Sequence, residues 1–160
     1  LSVDGDTSTN DSLIMMANGA SGVALKSAED LDIFGDTLTN ILSDIARLIV
    51  FDGEGASKTM KISVSGAPDD QVARKIARSV ASSDGIKTAL GHGSIPESFV
   101  LSIAGAVETT ADFSTAKCKV VNHADTTLID IAFEGGSGKA ESYGCDLNEE
   151  YIRLNAFYRT

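Results

Sequence analysis

The sequence predicts an α/β fold with helices and strands in mixed order. Three observations carry it. An apolar stripe at steps of three and four crosses residues 28–50, strict alternation marks 58–65, and short apolar runs punctuated by turns fill the chain from Ile86 onward. The first pattern belongs to a helix with one core-facing side, the second to a half-buried strand. The order is not the strict βαβ alternation of a doubly wound sheet.

Residues 1–11 read as a short strand running into a polar turn. Asp6-Thr7-Ser8-Thr9-Asn10-Asp11 concentrates helix N-cap types. Leu13-Ile14-Met15-Met16-Ala17 follows and is expected to form a short buried helix ending at Asn18-Gly19. Across 28–50, Leu31, Phe34, Leu38, Ile41, Leu42, Ile45, Leu48 and Ile49 recur at helical spacing, with Asp32, Asp36, Asn40 and Asp44 opposite. Gly35 weakens this helix by about 1 kcal/mol relative to Ala. Asp52-Gly53-Glu54-Gly55 breaks it.

Met60, Ile62 and Val64 give the strand over 58–65 its apolar face. Pro68 opens a second helix, with Asp69 and Asp70 where the helix dipole favours acids. Val72, Ile76 and Val80 are its stripe, and Ser82-Ser83-Asp84-Gly85 ends it. From Ile86 the pattern reads as β-rich. Residues 99–106, 117–121, 126–133 and 140–143 are strand candidates, separated in part by the turns Asn122-His123-Ala124-Asp125 and Gly135-Gly136-Ser137-Gly138. Residues 147–158 close the chain with Tyr151, Leu154 and Tyr158 at helical spacing. With neither internal repeat nor linker, 1–160 reads as a single domain.

Composition excludes several functions. A chain of 160 residues with 42% apolar content can bury a core. No apolar run approaches the roughly 20 residues of a membrane span. The formal charge is −10, from 23 acidic and 13 basic residues, and no basic stripe is visible, so a nucleic-acid partner is not expected. Cys118 and Cys145 do not make a disulfide framework, and His92 and His123 stand alone, so no metal is expected. The sequence begins at Leu1, and no leader is expected within it. It is expected to be processed or cut from something longer.

Two motifs invite chemistry and fail. Asp4, Asp6 and Ser8 have the alternating spacing of a calcium loop, but Thr9 stands where the sharp-turn glycine belongs and Met15 where the bidentate glutamate belongs. A hydrogen-bonded turn and cap is the expected role. Gly53-Glu54-Gly55-Ala56-Ser57-Lys58-Thr59 lacks the glycine before the lysine of a phosphate loop, places a carboxylate in the cradle, and runs from helix to strand. Glu54 is left as a solvated loop acid or as one facing a cationic ligand group. No Ser/His/Asp triad can be argued from spacing.

Three segments in register resemble a known family. Ser2-Val3-Asp4-Gly5-Asp6-Thr7-Ser8-Thr9-Asn10-Asp11 is similar to the signature near the start of the β chain in ornithine acetyltransferases of arginine biosynthesis. Asp52-Gly53-Glu54-Gly55-Ala56-Ser57-Lys58 looks like their Asp-Gly-Glu-Gly-Ala-Thr-Lys loop. The end, Tyr143-Gly144-Cys145-Asp146-Leu147 and then Glu150-Tyr151-Ile152-Arg153-Leu154-Asn155-Ala156-Phe157-Tyr158-Arg159-Thr160, resembles their C-terminus.

The resemblance implies a layered α/β sandwich like that β chain, made by self-cleavage of a precursor before a threonine. That threonine takes the acetyl group from N2-acetylornithine and passes it to glutamate, its own amine serving as base. It implies no cofactor. It implies an α chain of the same precursor and a second αβ pair as partners, in bacterial cytoplasm or in the mitochondria of fungi and related eukaryotes. It places Glu54, Asn155 and Thr160 at substrate-binding positions. Glu54 is expected to pair with the substrate ammonium, and Asn155 and Thr160 to hydrogen-bond the backbone-like end.

The chain departs from the family in three ways. The nucleophilic threonine, the oxyanion-hole threonines and a substrate lysine would precede Leu1, so no catalytic residue is expected in this chain. After Ile86-Lys87-Thr88-Ala89-Leu90 the family reads Gly-x-Asp-x-Asn-Trp-Gly-Arg, whereas residues 91–100 here are Gly-His-Gly-Ser-Ile-Pro-Glu-Ser-Phe-Val. Residues 106–141 form a shorter stretch than the family's. The alternative function is therefore a catalytically inactive relative or fragment that keeps the fold as a structural or binding partner.

Overall fold

The structure, a computed structural model, describes residues 1–8 and 10–156. Its centre is a mixed sheet of β1 (Thr59–Ala67), β2 (Lys117–Asn122), β3 (Thr126–Ala132) and β4 (Gly138–Cys145), in the order β2-β3-β1-β4. β1 runs parallel to β3 and antiparallel to β4, and β2 runs antiparallel to β3. The register places Ile62 beside Ile129 and Val64 beside Ile131, with Val120 and Cys118 continuing the two rows. Because side chains alternate along a strand, these rows form one apolar face.

That face carries the core. α2 (Asp70–Ala81) buries Val72, Ala73, Ile76, Ala77, Val80 and Ala81 against it. Burying each larger side chain of this kind is worth about 1.5–3 kcal/mol. The Asp69 side chain caps α2 by accepting from Val72 N at 2.8 Å. α3 (Asp84–His92) and α4 (Glu97–Gly105) add Ile86, Leu90, Val100 and Ala104 to the same cluster. The other face of the sheet is polar: Lys61 pairs with Glu141 at 2.6 Å, and Tyr143 Oη donates to Glu141 at 3.0 Å.

The structure agrees with the sequence reading at the strand over 58–65, the Pro68 helix, three of the later strands and both turns. It corrects that reading elsewhere. Residues 99–106 are not a strand: 99–105 lie in α4 and Ala106 is its C-cap. A short apolar run has no decisive period, and Pro96 with Glu97 gives the segment a helical start. Ile86 does not open a β-rich region but lies in α3, which Ser83 caps at Ile86 N and Gly93 closes in the left-handed conformation. The Ser82–Gly85 punctuation thus ends one helix and starts the next.

Leu13 to Ala17 form no buried helix; they are irregular and exposed. Five residues cannot sustain a helix without packing, and none of the described elements covers them. The cap residues before them close local turns instead, with Asp4 Oδ1 accepting from Asp6 N and Ser8 Oγ from Asn10 N and Asp11 N. The opening strand shrinks to one bridge between Ser2 and Gly144. The closing helix is α5 (Glu149–Asn155), and Tyr158 lies outside the described residues.

α1 (Ala28–Phe51) forms where the stripe predicts, started by a capping box between Ser27 and Asp30. Its apolar side is not on a core: Val50 alone is buried among its residues, and Leu31, Phe34, Ile41, Ile45 and Leu48 are exposed.

Candidate functional site

The N-terminal segment, α5 and the loop after α1 meet at the β4 edge, around a cavity of about 590 Å3. One wall is the segment from Leu1 to Ser8 with Asp11. The second is Asp52, Gly53 and Glu54; the third is Tyr151 and Asn155 from α5; Ile49 of α1 with Arg78 and Ser82 at the end of α2 complete the lining. Asp4, Asp6, Asp11, Asp52 and Glu54 bring carboxylates to it against the one guanidinium of Arg78 among the described lining residues. A cleft lined mainly by one sign of charge concentrates the opposite sign, so its chemistry suits a ligand carrying an ammonium.

The Glu54 loop is held from below. Asp146, 1% exposed at the end of β4, accepts from Ser57 N at 2.8 Å, Lys58 N at 2.9 Å, Ser57 Oγ at 2.7 Å and Asn148 Nδ2 at 2.8 Å. Burial alone would raise its carboxyl; these hydrogen bonds outweigh burial and hold it below the usual carboxylate range. Gly55 takes φ +71°, and a Cβ there would stand 2.5 Å from Tyr151 N, so only glycine lets the loop approach α5 this closely.

The N-terminal wall hangs on Lys87. This lysine is fully buried, and its Nζ donates to the carbonyls of Ser2 at 3.0 Å, Val3 at 2.6 Å and Cys145 at 3.2 Å. Burial pushes its ammonium below the ordinary lysine value. Tyr151 Oη, donating to Asp4 Oδ2 at 3.2 Å, ties this wall to α5.

The sequence-predicted residues distribute as follows. Glu54 and Asn155 line the same cavity. Asn155 Nδ2 donates to Tyr151 O at 3.0 Å, leaving its Oδ1 for a ligand donor. Thr160 lies outside the described residues. Sequence reasoning missed Asp146, Asn148 and Lys87. Lys87 shares a helical face with Leu90, a signal that a β-rich reading of the segment hides. The two thiols are free; burial raises Cys145 and pushes Cys118 up to about 11.

The ArgJ family matches residues 1–118. The chain belongs to the ArgJ family. An ArgJ relative, the "arginine biosynthesis bifunctional protein ArgJ" of Nitratidesulfovibrio vulgaris, is 37% identical over 183 aligned positions, covering all of this chain and 46% of the relative. A "glutamate N-acetyltransferase" of Methanopyrus kandleri is 36% identical, covering all of this chain and 48% of that protein. The chain thus spans about half the length of these ArgJ relatives. The crystal structure of the Bacillus halodurans ArgJ protein superposes with a TM-score of 0.88 at 29% identity, covering 98% of this chain and 85% of that one. The mixed sheet with its helical layer is therefore the ArgJ fold.

Proposed function

We propose that this chain is the substrate-holding β-chain portion of a self-cleaving ArgJ protein that moves an acetyl group from N2-acetylornithine to glutamate. The observation that carries the reading is that Glu54 and Asn155, far apart in sequence and both marked by the family resemblance, line one acidic cavity. Glu54 pairs with the side-chain ammonium of acetylornithine. Asn155 and Thr160 hydrogen-bond its α-amido and carboxylate end. The acetyl group then passes to the threonine of a segment outside this sequence and from there to glutamate. No cofactor enters these steps.

Partners follow from the same reading: an α portion of the precursor and a second αβ pair. The uncovered stripe of α1 supports the first, since a packed partner removes such apolar surface from water. We place the protein in the cytoplasm if it is bacterial and in the mitochondrial matrix if it comes from a fungus or related eukaryote. No helix among the described residues is long and apolar enough to cross a membrane. Residues 91–100, the departure that would favour an inactive relative, contribute nothing to the cavity lining. They build the α3–α4 corner instead, with Ile95 buried.

The test is an acetyl-transfer assay of the complete protein carrying this chain. Transfer from N2-acetylornithine to glutamate is expected, with Glu54→Gln raising KM for acetylornithine by about tenfold, the loss of roughly one charged contact. An unchanged KM sinks the role given to Glu54, and absence of transfer by the complete protein sinks the reading. The isolated chain is expected to transfer nothing.

A further inference from the structure

Two walls of the cavity, the Glu54 loop and α5, share one carboxylate and one amide, and from this we infer that Asp146, acting through Asn148, is a positioning residue that sets the reach between Glu54 and Asn155 and so selects the side-chain length of the substrate. The inference rests on the substrate reading above, in which an N-acylated diamino acid is held at both ends.

The connection is short and complete. Asp146 Oδ1 takes the amides of Ser57 and Lys58, fixing the loop just after Glu54. Its Oδ2 takes Asn148 Nδ2, and that same Nδ2 also donates to Gly55 O at 2.7 Å, on the residue next to Glu54. Asn148 Oδ1 accepts from Glu150 N at 2.9 Å and Tyr151 N at 3.1 Å, capping α5, the helix that carries Asn155. Both donors and both acceptor positions of the Asn148 amide are therefore used. Asp146 is buried, so these bonds act in a low dielectric where geometry is strongly enforced. One methylene more or less in the substrate displaces one of its ends by roughly a carbon–carbon bond projection, more than 1 Å, and a frame tied this way does not follow.

The experiment uses the complete protein as wild type, Asp146→Asn and Asp146→Ala. Calorimetry measures Kd for N2-acetylornithine and for N2-acetyllysine, one methylene longer. Wild type is expected to prefer the shorter ligand by about tenfold or more, the range over which a pocket reads one methylene. In Asp146→Ala the preference is expected to collapse to within about threefold of unity. Asp146→Asn keeps Oδ1 for the two loop amides but turns an NH2 toward Asn148 Nδ2, so its ratio falls between. Hydrogen exchange over 53–58 is expected to accelerate in both variants.

A residue that only stabilised the fold would lower the binding-competent fraction for both ligands alike. An unchanged Kd ratio in Asp146→Ala therefore overturns the inference, as does unchanged exchange at Ser57 and Lys58. Wild type that binds with the expected ratio but transfers no acetyl group overturns the proposed reaction alone.

Discussion

Asp146, the residue after β4, has four donors on its two oxygens and almost no exposure. Its carboxyl titrates below the usual range in the folded protein, so between its folded and unfolded values the unfolded chain binds more protons and stability rises with pH. Its contribution is fully present above the ordinary aspartate value of about 4 and is lost as pH falls through the lower folded value. Thermal melts from pH 7 to pH 2.5 are expected to fall steeply below about pH 4, and Asp146→Asn is expected to flatten that fall; an equally steep fall in the variant removes Asp146 as its cause. At Gly55, alanine meets both a positive φ and the Tyr151 amide. Gly55→Ala is expected to lower unfolding free energy by more than about 1 kcal/mol in urea titration, where a surface substitution would cost less. The special role of Gly55 was legible only as a glycine beside Glu54. That of Asp146 was not legible, because one aspartate at a strand end has no periodicity to betray it.

Element boundaries show where sequence pattern was enough. β1 and α2 carry one-sided apolar spacing over many residues, and both formed within a residue or two of expectation. The short segments failed. Residues 99–106 hold an apolar run that a strand and a helix could both claim, and packing of Val100 and Ala104 under α2 settled it as helix. α3 carries Lys87, whose ammonium binds three backbone carbonyls of the N-terminal segment and β4. Lys87→Met keeps much of the volume but leaves those acceptors without their donor. It is expected to cost about 1–3 kcal/mol and to speed hydrogen exchange at Ser2, whose amide bonds Tyr143 O at 2.9 Å. Unchanged exchange there would show that β4 alone holds the segment. Within the helical layer, Ile76→Ala is expected to cost about 2–5 kcal/mol in denaturant titration, since Ile76 is fully buried between α2 and the sheet.

At the scale of the whole molecule, one face of the sheet is covered and α1 is not. Leu31 is 58% exposed, Ile41 51% and Leu48 68%. The isolated chain is therefore expected to self-associate in sedimentation velocity at micromolar concentration, and the triple change Leu31→Glu, Ile41→Glu and Leu48→Glu to restore a monomer. A monomeric parent chain would mean that the α1 stripe is not adhesive. The cavity is also a property of this scale. Its walls come from the start, the middle and the end of the sequence, and no local pattern links them.

By itself the sequence determined the mixed α/β class and the long elements, because periodicity is a property of neighbours along the chain, while Glu54 and Asn155 became substrate-binding candidates through the resemblance to a family. The tertiary structure decided that Leu13 to Ala17 stay unpaired, that residues 99–106 are helical, and that Asp146, Asn148 and Lys87 hold the cavity walls. These are contacts between residues distant in sequence, whose free energy exists only once the sheet has brought their elements together.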